Sequence, residues 1–158
     1  MARHRARQQA LQLLFQWDFR RTPLDEISRG YYESLLLDEE GLKRPQRDEF
    51  AAQIVQGVTA EIEAVDTLIE KHAAHWRIPR MPSVDRNVLR IAVYELMRTE
   101  TPPAVVIDEA LELARRFAGE ESVHFINGVL DAVRKELAES AGSVKLPEGS
   151  PHADGENG

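Results

Sequence analysis

No cysteine occurs among the 158 residues. That excludes a disulfide framework and any thiolate-bound metal site, and it fits a reducing cytoplasm. No apolar run approaches the roughly 18–20 residues of a membrane-spanning helix. The basic N-terminus lacks the apolar core and cleavage site of a secretion signal. The expectation is a cytoplasmic protein with no membrane partner. Strand-like alternation and hairpin signals are missing throughout, which argues against any sheet.

The catalytic vocabulary is equally thin. There is no G-x-S-x-G or S-x-x-K nucleophile motif, and no G-x-x-x-x-G-K-[ST] or G-x-G-x-x-G loop to cradle phosphates. His72 and His75 stand three apart, with Asp66 and Glu70 near them, but H-E-x-x-H is absent and zinc sites want three or four protein ligands. The pair reads as a helix end facing carbonyls or solvent. Glu109 and Glu112 could suggest an acid/base pair, but at helix spacing Glu109 reads instead as a carboxylate in the first turns of a helix, favoured by the dipole and by capping. The expectation is no enzyme, no metal and no cofactor.

What is present is helical periodicity. Ala6, Ala10, Leu13, Leu14 and Trp17 make one stripe, over roughly Arg3 to Arg20. Thr22-Pro23-Leu24-Asp25 is a start signal for a second helix, to about Leu37. Phe50, Ile54, Val58, Ile62, Val65 and Ile69 then hold one phase for about seven turns, with Gly57 a candidate kink or close crossing. After Ile78-Pro79-Arg80-Met81-Pro82, with Ser83 as a candidate cap, three more stripes follow: Val84 to Leu96, Val106 to Phe117, and Ile126 to Leu137. Thr101-Pro102-Pro103 and Gly119 separate them. Asn127-Gly128 lies inside the last stripe without shifting its phase, so Gly128 reads as a helical glycine that permits close packing. Each stripe needs another helix to cover it. The fold class is all-α, a compact bundle of about six or seven helices in two packed subdomains. The N-terminal helices span about 1–75, the C-terminal bundle about 83–137, and residues 138–158 read as a disordered acidic tail.

The formal charge is −7, unevenly spread. Residues 1–21 carry +4 and residues 71–100 carry +3, while the segments between and after them are acidic. Two basic blocks on an acidic body suit a selective binder of polyanions better than a general nucleic-acid coat. Arg3, Arg5 and Arg7 crowd a helix N-terminus, where cations oppose the dipole, and such placement fits either a bound anion or a frayed, solvated helix end.

ARHRARQQALQLLFQWD, VLRIAVYEL, P-x-x-V-x-I-x-E-A-x-E-L-A and SVHFINGVLD occur in that order over roughly residues 2 to 137. In this the chain resembles the NusB family of bacterial transcription antitermination factors. The resemblance implies a noncatalytic helical factor that binds the boxA element of nascent ribosomal RNA as a single strand. It would act together with NusE, a ribosomal small-subunit protein, and assemble on the RNA polymerase elongation complex with other Nus factors. By the same resemblance Arg3, Arg5 and Arg7 match an arginine-rich N-terminal motif that holds phosphates, and Arg86 a basic position before VLRIA. Phe125 matches the phenylalanine of F-[VI]-N-G, and Glu121 and Ser122 fall in the turn at the RNA-facing edge. Asp85 matches an acidic position of the NusE contact. Phe15, another candidate partner residue, stands where many relatives carry tyrosine, and His124 where lysine is common. Arg90 is as well explained by an internal ion pair. Two alternatives remain open: a homodimeric protein-interaction module that hides its RNA face, and an RNA-targeting module like that of ribosomal-RNA methyltransferases, which calls for a long cofactor-binding domain downstream.

Overall fold

The computed structural model describes residues 3–20, 26, 27, 29 and 48–145. The helix expected from Thr22 to Leu37 and the chain beyond Lys145 lie outside the described residues, save that Ile27 is buried. Six α-helices are described: α1 (Arg3–Arg20), α2 (Glu49–Ala60), α3 (Ile62–His72), α4 (Ser83–Arg98), α5 (Pro103–Phe117) and α6 (Glu120–Lys145). One 3-10 turn, Ile78–Arg80, precedes α4. Among the described residues there is no strand, and no helix is long and apolar enough to cross a membrane. The fold is all-α.

The stripe of α1 buries Ala6, Ala10, Leu13 and Leu14, with Trp17 packed at the margin. The single long helix expected after Gln46 is instead two. Asp48 caps α2 by accepting the Ala51 N–H at 3.0 Å. The helix then breaks at Glu61, whose ψ of 27° leaves the helical region. Two local causes converge there. Thr59 Oγ1 donates back to the Val55 carbonyl at 2.8 Å, a bond that bends helices. Gly57 lies so close under the Tyr94 ring that a methyl group there would overlap it, so the expected close crossing is real. Val58 and Val65 stay buried on either side of the break, which is why the apolar phase conceals it.

α4 is the helix around which the others pack. It meets α1, α2, α3, α5 and α6, and all of Asn87 to Glu95 is buried. Its stripe understates this, because Asn87, Arg90 and Glu95 are polar yet enclosed. Arg90 grips Asp66 of α3 through Nε and Nη2 at 2.8 Å each and reaches Asp18 of α1 at 3.1 Å. Burial pulls its pKa down, but the two carboxylates outweigh that and raise it. Ser83 does not cap α4: Pro82 occupies that position, Ser83 is already helical, and no side chain caps the end.

Pro103 opens α5, where a missing N–H costs nothing. Phe117 closes it, and there the stripe fails: Phe117 is about half exposed, lying at the helix end under the Arg116 guanidinium. Gly119 at φ +151° ends the helix, and the N–H groups of Ala118 and Gly119 both donate to the Ala114 carbonyl. α6 buries Ile126, Val129, Leu130 and Val133. It then runs past Leu137 to Lys145, eight residues into the segment expected to be disordered. Ala138, Glu139 and Ala141 are good helix formers, so the helix outlasts the loss of apolar contacts. Gly128 is helical as expected, but apart from its own turn of helix nothing lies within 4 Å of where its Cβ would stand. The close packing predicted for it is absent.

Candidate nucleic-acid interface

α4 and α6 begin side by side. Ser122 Oγ donates to Asp85 Oδ1 at 2.7 Å, in the first turn of α4, where the helix dipole favours a carboxylate. Asp85 is buried. The expectation that it reaches a protein partner is therefore corrected, since its carboxylate is turned inward and joins two helix ends. Ser122, expected at the RNA edge, has its hydroxyl committed to that bond. Glu121 beside it is exposed. One turn on, Phe125 is partly buried, and its ring meets Trp76 in a T-shaped contact at 6.3 Å.

Arg86 is also less available than expected. Its Nε donates to Asp18, and its Nη1 donates to the Ile78 and Met81 carbonyls at 3.4 and 3.2 Å. It fastens the 3-10 turn to α1. Burial raises the Asp18 pKa, but the Arg86 and Arg90 guanidiniums together outweigh it and hold the carboxyl below its ordinary value.

The N-terminal arginines divide. Arg7 is only 2% exposed. Its Nε and Nη2 each donate to a Glu95 carboxylate oxygen at 2.7 Å, and its Nη1 reaches Glu109 at 3.3 Å. It is an internal cross-brace between α1, α4 and α5, so its expected role as a phosphate contact is corrected. Arg3 is exposed, with its guanidinium 4.0 Å from the centre of the Phe50 ring. Arg5 is exposed and has no ion pair among the described residues. Two of the three remain open to an anion.

The expected site residues do not form one cluster. Arg3 and Arg5 lie near the end of α4 that carries Glu95, while Asp85, Arg86, Ser122 and Phe125 gather at its start. Nine residues of helix, about 14 Å, separate Arg86 from Glu95. Phe15 is 44% exposed on α1, and Phe19, one turn later, is 83% exposed. Sequence reasoning missed Phe19, although its spacing of four from Phe15 and its place outside the buried stripe could have shown it. Trp76, 48% exposed, was missed too, as were its neighbours Arg77 and Arg80. The signal available was the basic block of residues 71–100. As for the two histidines, His72 Nε2 lies 2.8 Å from Glu136 Oε1, which Lys71 also meets at 2.8 Å. Hydrogen bonds from Lys71 and His72 hold that carboxyl below its usual range. His75 stands apart in an exposed turn at φ +57°.

Comparison with known proteins gives this surface a context. The family model described as "NusB family" matches residues 4–135. The transcription antitermination protein NusB of Solibacter usitatus is 54% identical over 138 residues, covering 87% of this chain and 92% of that protein. Its namesake from Koribacter versatilis is 45% identical, covering 85% and 90%. Among solved structures, T. maritima NusB superposes with a TM-score of 0.72 at 35% identity, covering 86% of this chain and 92% of that one. A structure of antitermination factors NusB and NusE in complex with dsRNA matches with a TM-score of 0.69 at 32% identity, covering 86% and 99%.

Proposed function

This chain belongs to the NusB family, and from that premise we propose that it is a noncatalytic transcription antitermination factor. It binds boxA RNA of nascent ribosomal transcripts as a single strand, acts jointly with NusE, and helps assemble the antitermination complex on RNA polymerase in the cytoplasm. The single observation that carries the reading is the match, over nearly the whole described chain, to a fold whose solved members include one bound to NusE and RNA.

The surface supports a division of labour. Arg3 and Arg5 supply exposed cations for phosphates, and Phe125 with Glu121 marks a second contact region near the start of α6. Phe15 and Phe19 offer a protein partner two aromatic side chains on one face of α1, which suits an interface anchor. Arg7, Arg86 and Asp85 hold these elements in place rather than touching the partner. In this reading residues 1–137 are the binding unit.

Fluorescence anisotropy of labelled boxA RNA, scrambled RNA and a boxA duplex, with and without NusE and at two salt concentrations, tests the reading. The expected result is selective binding to the single strand that tightens with NusE. Its affinity should fall with log[salt] at about −0.7 per phosphate neutralised. Equal, weak binding to all three RNAs, indifferent to NusE, would mean that the fold has been kept without the function. Sedimentation would then decide whether the chain works as a homodimer.

A further inference from the structure

We propose that Trp76 is a stacking platform for one unpaired RNA base, with Arg77 and Arg80 holding the phosphates on either side of that base. The proposal rests on the RNA-binding reading and adds to it a specific contact on the loop between α3 and α4.

Trp76 is held out by a fixed segment. The backbone before it is strained, with Ala74 at φ 27° and His75 at φ 57°, a region that residues other than glycine seldom enter. The chain after it is pinned. Ile78 and Met81 are buried, the Ile78 N–H donates to Glu70 Oε2 at 2.7 Å, and both carbonyls accept from Arg86. The indole between these anchors keeps nearly half of its surface in water, braced by the T-shaped contact with Phe125. An aromatic side chain gains most by burial, so this imposed exposure costs the fold apolar contact that a stacked base would restore.

The surroundings suit RNA. Trp76 lines an open groove of about 520 Å³ with Glu70, His75, Arg77 and Arg80. Both arginines are exposed and neither has an ion pair among the described residues. The carboxylate in the groove, Glu70, is engaged by the Ile78 N–H. On α6, Gly128 lies one turn beyond Phe125 with open space where a side chain would stand, so the surface past the aromatic pair is unobstructed. A π-face flanked by guanidiniums repeats the base-and-phosphate alternation of a single strand. A protein anchor would want apolar neighbours, yet among the described residues the other exposed large apolar side chains, Phe15, Phe19, Val105 and Phe117, stand on α1 and α5.

The test uses the full chain and a fluorescein-labelled single-stranded boxA RNA, intact or with single abasic substitutions. Trp76→Ala should weaken binding by about 5- to 150-fold, the range that base–aromatic stacking supplies. Trp76→Phe should recover most of the loss. One abasic position should weaken the wild type but not Trp76→Ala. Arg77→Ala with Arg80→Ala should flatten the salt slope by about 0.7 per lost phosphate contact. Thermal melts of each variant separate lost binding from lost folding, and the abasic comparison holds even if Trp76→Ala is less stable. Wild-type binding that Trp76→Ala does not change, or a Trp76→Ala defect confined to NusE binding, overturns the stacking proposal and leaves the RNA reading standing. No boxA binding by the wild type removes both.

Discussion

Arg7 and Glu95, 88 residues apart in sequence, face each other in a buried two-bond pair, each nitrogen-to-oxygen distance 2.7 Å. The pair locks the start of α1 to the end of α4, and it takes one arginine out of a basic N-terminal cluster. Removing the guanidinium strands a buried carboxylate, which costs about 3–5 kcal/mol. Arg7→Ala should therefore lower the melting temperature sharply. Arg3→Ala with Arg5→Ala should leave the melt nearly unmoved and weaken RNA binding, with a salt slope shallower by up to about 1.4. Thermal melts and anisotropy on the two variants separate the roles. A fully stable Arg7→Ala protein would refute the bracing function.

Ser122 and Asp85 offer the same distinction at the other end of α4. Ser122→Ala leaves the enclosed Asp85 carboxylate short of one donor, and the expected cost is about 1–3 kcal/mol. If Ser122 acts by joining helix ends, RNA affinity of the folded variant well below its melt should stay within about twofold of wild type. A large loss of affinity with an unchanged melt would instead assign its hydroxyl to the RNA.

Acid should loosen the junction of α1, α3 and α4. The Asp18 carboxyl titrates lower in the folded chain than in the unfolded one, so the folded state releases this proton more readily. The stability it contributes is complete above the ordinary aspartate value of about 3.9. That stability is lost as pH falls through the depressed folded value. Melting temperatures from pH 7 down to pH 2 should drop in this window, and Asp18→Asn should remove part of that drop while lowering stability at pH 7. An identical acid profile in Asp18→Asn would show that other carboxylates carry it.

The architecture was legible because apolar spacing reports which face is covered. Ala6, Ala10, Leu13 and Leu14 are buried as their spacing requires, and Gly119 ends α5 in the left-handed region. Spacing does not report a break that preserves phase, so Glu61 was invisible. Nor does it reveal that a central helix can enclose Arg90 and Glu95, whose partners lie on other helices. The candidate site was the least legible part. Arg3, Arg5 and Arg7 look alike as a cluster, although Arg7 stands one turn before the buried Ala10 and Leu11 and so points inward. Trp76 escaped notice because its exposure is set by a turn with no glycine and by the distant anchor Arg86.

Two glycines that look alike in sequence should respond oppositely to the same change. At Gly57 an added methyl overlaps the outer end of the buried Tyr94 ring, and relief requires that ring or α2 to shift. Gly57→Ala should cost about 1–3 kcal/mol as overpacking. At Gly128 the methyl meets nothing, while a glycine inside a helix is about 0.5–1 kcal/mol worse than alanine. Gly128→Ala should therefore raise stability by about that amount, as urea or thermal unfolding would show. Its effect on binding then carries information that stability cannot. The fold gives no reason for a glycine here, so a more stable Gly128→Ala protein that loses RNA or NusE affinity would place a partner's backbone against α6 at this turn. A Gly128→Ala protein that is more stable and binds both normally would free the turn from any role in assembly.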